Sequence, residues 1–112
     1  MERLSPLPLC DGTDEIVVPA IFDVEVVSAL VRRGVPGERV ASFLERHLAR
    51  RSLVTIGSRA AGRAQRVVER TGLRAADALY VWVAAREGLP LVTADREVLS
   101  RAARLGVVVV VP

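Results

Sequence analysis

Between Ala75 and Glu87 the chain reads AADALYVWVAARE, a stretch of helical length that is apolar on nearly every side. Leu79, Val81, Trp82, Val83, Ala84 and Ala85 leave it no polar face to turn toward water. A helix of this kind is stable only when enclosed, so the rest of the chain must cover it. Leu79, Trp82 and Val83 are the expected core contacts of a helix buried over Ala78–Ala85.

The segments available for that enclosure alternate in type. Ile16-Val17-Val18 is a β-branched run closed by Pro19 and predicts a strand. A helix follows from about Ala20 to Arg33, stopped by Gly34. A second helix is expected over Glu38 to Arg50, where Val40, Phe43, Leu44 and Leu48 form an apolar stripe. Leu53–Ile56 is a candidate strand, and Ser58 is the expected N-cap of a third helix ending at Gly72. After the apolar helix come a strand at Leu91–Thr93, a helix from Arg96 to Leu105, and a last strand over Val107–Val111. Strands that alternate with helices and are apolar on both sides predict an α/β fold in three layers, a parallel sheet flanked by helices.

Composition narrows the class. Hydrophobic residues make up 51% of the chain and charged ones 26%, which excludes a disordered polyelectrolyte. Cys10 is the single cysteine, so no internal disulfide forms, and the absence of a cysteine–histidine cluster argues against structural zinc. A reducing cytoplasm is the expected location. No apolar run approaches the roughly 18 residues that a membrane span needs. All 16 basic residues are arginine, and the net charge of +3 with a pI near 10.4 permits an anionic partner such as RNA.

Several carboxylates stand at informative places. Asp95 follows the strand Leu91–Thr93 and so sits at its carboxyl end, where ligand sites form in open parallel sheets. The same position suits an N-cap for the helix that starts at Arg96. Asp77 opens the most apolar helix of the chain, where the helix dipole favours an acid and where a bound cation would hold a partly buried one charged. Asp23 and Glu25 lie two residues apart, roughly 200° around a helix, and cannot address one site together. Glu25 shares a face with Ile21, Phe22 and Ala29, and Asp23 shares one with Val27 and Leu30. Periodicity leaves the choice between them open. The third helix presents Arg59, Arg63, Arg66 and Arg70 on one face, a stripe placed to follow an RNA backbone or to be solvated. His47, the lone histidine, is expected to be incidental.

Three segments, VVPAIFDVEVVSAL at 17–30, TGLRAADALYVWVAAREGLPLVTAD at 71–95 and LGVVVVV at 105–111, resemble in order and spacing the PIN-domain family, and within it the VapC toxins of toxin–antitoxin pairs. The resemblance implies a PIN-like domain over residues 16–112 preceded by an irregular segment over 1–15. It implies a ribonuclease that hydrolyses RNA phosphodiester bonds with Mg²⁺ or Mn²⁺. Glu25, Asp77 and Asp95 become the metal-site acids, with Thr93 beside them, and Glu25 is preferred to Asp23. A cognate antitoxin and a homodimer formed through helices of the N-terminal half are the implied partners. Phosphodiester hydrolysis needs such acids because a hard cation takes oxygen ligands, activates water and offsets the charge that develops on phosphate. The three carboxyl groups are expected within about 10 Å of one another, the span that one or two such ions bridge. The alternative is an inactive PIN-like module that binds an antitoxin or RNA without cleaving.

The family pattern opens with a hydrophobic strand ending in aspartate. No such segment precedes Val17, and Asp11 and Asp14 stand at the amino end of the strand Ile16–Val18 rather than its carboxyl end. The resemblance therefore implies an N-terminally shortened domain with one metal-site acid fewer, weaker metal binding and slow turnover.

Overall fold

The computed structural model describes residues 15–111, which fall into two units divided between Leu53 and Val54. The irregular segment expected over 1–15, with Asp11 and Asp14, lies outside the described residues except for Glu15, which is in no regular element.

The first unit contains strand β1 (Ile16–Pro19), helices α1 (Phe22–Arg32) and α2 (Gly37–His47), and strand β2 (Arg51–Val54), whose last residue reaches past the division. β1 pairs with β2, and the Ile16 amide donates to the Arg50 carbonyl at 3.3 Å. Val18, Pro19, Val40 and Leu48 are its buried residues. α1 stops where expected, because Gly34 takes a φ of 86°. The helix expected over Glu38 to Arg50 ends early, at His47, and β2 begins two residues ahead of the expected Leu53–Ile56. Hydrophobicity is not what places β2, since Leu53 is 48% exposed. Its start coincides with Arg51, whose side chain is tied to Asp23 of α1.

The second unit contains α3 (Ser58–Thr71), α4 (Ala75–Glu87), β3 (Leu91–Val92), α5 (Arg96–Ala103) and β4 (Val109–Val110). The N-cap of α3 is Gly57 rather than the expected Ser58. The Gly57 carbonyl already accepts the Ala61 amide at 2.9 Å, so the Ser58 side chain lies inside the helix and caps nothing. α4 occupies the expected span, and Ala78 and Val81 are wholly enclosed while Trp82, Val83 and Ala84 are buried. Leu79 is only half-buried, so it is not the core anchor expected of it. The core instead gathers Leu73, Val81, Ala84, Leu91, Val98, Ala102 and Val107. β3 and β4 run parallel, Leu91 opposite Val109 and Val92 opposite Val110, so the parallel pairing expected of an α/β fold is present. The last strand is shorter than the apolar run at 107–111, with Val108 and Val111 exposed.

Gly72 ends α3 in the left-handed region, φ 72°, where Arg101 closes over it. The Arg101 guanidinium donates to the Thr71 carbonyl at 2.9 Å and pairs with Glu97 at 2.9 Å, so α5 covers the carboxyl end of α3. A side chain at Gly72 would stand 2.8 Å from that guanidinium. Among the described residues no helix is long and apolar enough to cross a membrane.

Candidate functional site

Asp95 is the residue whose surroundings say most. β3 delivers the chain to Thr93, whose amide still donates to the Val110 carbonyl at 3.1 Å, and the chain then turns into α5. The Thr93 hydroxyl accepts the Asp95 amide at 3.1 Å, which fixes the turn. Asp95 caps the helix: its Oδ1 accepts the Glu97 amide at 2.9 Å and the Val98 amide at 3.3 Å. Its Oδ2 takes part in no hydrogen bond among the described residues, and the residue is exposed. One oxygen is therefore structural, and the other is unengaged in an exposed residue just past the carboxyl end of a parallel strand. The cap and a ligand role do not compete for the same atom.

Asp77 sits in the first turn of α4 and is half-buried, where the helix dipole stabilises its charge. It belongs to the same unit as Asp95 and Thr93. Glu25 is exposed in the first turn of α1, in the other unit. Glu25 and Asp77 each interact with a neighbouring group.

Asp23, the other acid at the start of α1, has a well-defined partner. Arg51 grips Asp23 with two of its three guanidinium nitrogens, Nε to Oδ1 at 2.6 Å and Nη2 to Oδ2 at 2.8 Å. The remaining nitrogen donates to the Leu48 carbonyl at 2.8 Å. Both Asp23 oxygens are thus engaged, and the paired guanidinium holds the carboxyl below its ordinary 3.8 despite partial burial. This fork ties α1 to β2 across 28 residues of sequence. Periodicity carries no sign of it, because a bidentate pair depends on three-dimensional placement.

A group whose folded pKa is depressed adds stability above its unfolded pKa and loses it as pH falls through the folded value. Asp23→Asn is therefore expected to lower stability by roughly 1–2 kcal/mol at neutral pH, discounted for the pair's partial exposure. The gap between wild type and variant should close as the pH drops below 3.8. Thermal melts of both proteins across that range check it, and a gap that stays constant with pH would show that the fork is not electrostatic.

The arginine stripe is where the sequence places it. Arg59, Arg63, Arg66 and Arg70 are all exposed on α3, and none forms an ion pair or hydrogen bond among the described residues. His47 packs its ring on Phe43, centroids 4.9 Å apart, and is half-buried.

The donor chemistry of these residues decides whether a divalent ion would fit. Among the described residues no group of three histidine, cysteine, aspartate or glutamate side chains is arranged to hold a metal. Mg²⁺ does not require such a cage, since it commonly uses one or two carboxylates and completes its shell with water and substrate phosphate. Asp95, with one oxygen unengaged, and Asp77 are each hard oxygen donors of the type that Mg²⁺ and Mn²⁺ take.

A family model for the PIN domain matches residues 6–105. No curated protein and no solved structure gives a significant match. PIN domains are generally nucleases, and a match over nearly the whole chain, on an α/β fold with a parallel strand pair, leaves no ambiguity of family. The chain belongs to the PIN domain family.

Proposed function

We propose that this PIN-domain protein is a metal-dependent endoribonuclease of the VapC toxin type. The observation that carries the reading is Asp95. It stands at the carboxyl end of β3, held in place by two helix amides and the Thr93 hydroxyl, with Oδ2 unengaged. Glu25, Asp77 and Asp95 are the proposed metal-site acids of a PIN-like domain over residues 16–112. A bound Mg²⁺ or Mn²⁺ would supply the activated water and the charge needed at the scissile phosphate. The chain's own contribution is positioning. Thr93 and the α5 amides hold Asp95 in place, and the N-terminal dipole of α4 favours a carboxylate at Asp77.

The partners follow the same reading: an antitoxin that covers the proposed metal-site acids, in the cytoplasm, and a second copy of the chain. α1 supports the homodimer, because none of its residues is buried and Val24 and Val31 are 69% and 54% exposed. The second reading is an inactive module that binds RNA or antitoxin without cutting. It is favoured by the lack of a three-acid group among the described residues.

Cleavage of a labelled RNA by the metal-free protein, with Mn²⁺ then added, separates the two. Metal-dependent cleavage that EDTA stops is the expected result. Metal-independent binding without any cleavage would establish the inactive module instead.

A further inference from the structure

α3 carries three features that weaken it as a helix. Arg59, Arg63, Arg66 and Arg70 recur at intervals of four, three and four residues, which places them within roughly 60° of one another about the axis. Like charges at this spacing repel, and Glu69 is the single acid of the helix. Arg59 stands in the first turn, where a cation opposes the helix dipole, and that turn holds no acid. Gly62 lies one turn from both Arg59 and Arg66, and a glycine inside a helix is a poor helix former.

Packing does not explain the glycine. The face of α3 that is covered carries Ala60, Ala64 and Thr71, and α3 packs along α4. Gly62 points roughly 180° away from the middle of that face. A Cβ built on it meets no atom within 4 Å. Gly62 lies in a shallow, open depression of this face, bordered by Arg59, Arg63, Arg66, Gln65 and Glu69. The arginines elsewhere include several that are neutralised, Arg50 by Glu15, Arg51 by Asp23 and Arg101 by Glu97. The four on α3 have no such partner among the described residues.

We infer that the outer face of α3 is a track for the phosphodiester backbone of RNA, with Gly62 as the notch that lets the backbone approach the helix between arginines. A polyanion relieves the repulsion, and four guanidinium forks suit phosphate oxygens. From Arg59 to Arg70 the track runs roughly 16 Å, room for several consecutive phosphates. No aromatic side chain lies on this face to stack a base, so binding is expected to follow charge and to ignore sequence. The identity of the anion rests on the nuclease reading, while the track itself does not depend on cleavage.

The test measures binding of a fluorescein-labelled oligouridylate to the full chain in EDTA, without divalent metal, as a function of salt. Three proteins are compared: wild type, the double variant Arg63→Gln, Arg66→Gln, and Gly62→Gln. Each phosphate contact contributes about 0.7 to the slope of log affinity against log salt for a single strand, so the double variant should lose about 1.4 of slope. Its affinity at low salt should fall on the order of tenfold. Gly62→Gln should raise the melting temperature, because a better helix former replaces glycine in open space, and yet weaken RNA binding with the slope unchanged. A role confined to helix stability would move melting and binding together. The track is overturned if slope and affinity match wild type in the double variant, or if polyglutamate binds with the same affinity and slope as RNA. RNA bound with the expected slopes by a protein that never cleaves would leave the track standing and remove the nuclease reading.

Discussion

Asp95→Asn is expected to abolish metal-dependent RNA cleavage while leaving the fold as stable as before. The two outcomes separate because the carboxylate has two oxygens with different duties. Oδ1 accepts the Glu97 and Val98 amides, and an asparagine amide oxygen accepts the same bonds about as well. The negative charge that the proposed cation would need disappears. Metal stabilisation of the transition state is worth several kcal/mol, so at least ~100-fold of rate should go with it. The melting temperature should move by no more than about 2–3 °C, the shift that ~0.5 kcal/mol produces in a domain of this size. Asp95→Ala should lose both functions, adding about 1 kcal/mol of instability for the missing cap. Cleavage rates and thermal melts on the three proteins decide the matter. A fully active Asp95→Asn enzyme would show that the residue is a cap and nothing more.

Leu73→Ala is expected to destabilise the protein severely, by about 2–5 kcal/mol. Leu73 is 3% exposed in the short connection between α3 and α4, and it packs in the cluster with Val81, Leu91 and Val107. Its amide donates to the Thr71 hydroxyl at 3.1 Å, so backbone and side chain are both held and the site has little freedom to collapse around a cavity. A domain of ordinary stability has only about 5–15 kcal/mol in total, so the variant should be near the limit of folding. Leu79→Ala, at a half-buried position, should lose distinctly less. Trp82, the single tryptophan, lies in the same unit, so its fluorescence in urea reports the loss directly. Equal midpoints for Leu73→Ala and Leu79→Ala would contradict the difference in burial between the two side chains.

Where local chemistry decides the outcome, the sequence is a sufficient guide. α4 is legible to its ends because an all-apolar helix bounded by Arg74 and Gly88 has one plausible reading, and Gly88 takes the left-handed φ of 67° that closes it. Asp95 is legible for a similar reason: strand, turn and cap occupy consecutive residues. β2 is not, because its start is tied to Arg51 meeting Asp23 across 28 residues, and Leu53-Val54-Thr55-Ile56 is more strand-like in composition than the Arg51–Val54 that pairs. The same fork engages both oxygens of Asp23, which helical periodicity does not reveal. Leu79 departs from expectation because an apolar helix shows no preferred face in its sequence, so which side is most deeply covered depends on what packs there.

The most direct measurement of the proposed metal centre is RNA cleavage by the full chain as Mn²⁺ is titrated, run beside Glu25→Gln, Asp77→Asn and Asp95→Asn. Cleavage by the wild type should be slow and should rise with Mn²⁺. Each variant should require far more metal or lose activity altogether, because all three acids would serve one ion-binding centre. Cleavage that is indifferent to Mn²⁺, or that survives unchanged in any of the three variants, would contradict the assignment of that centre.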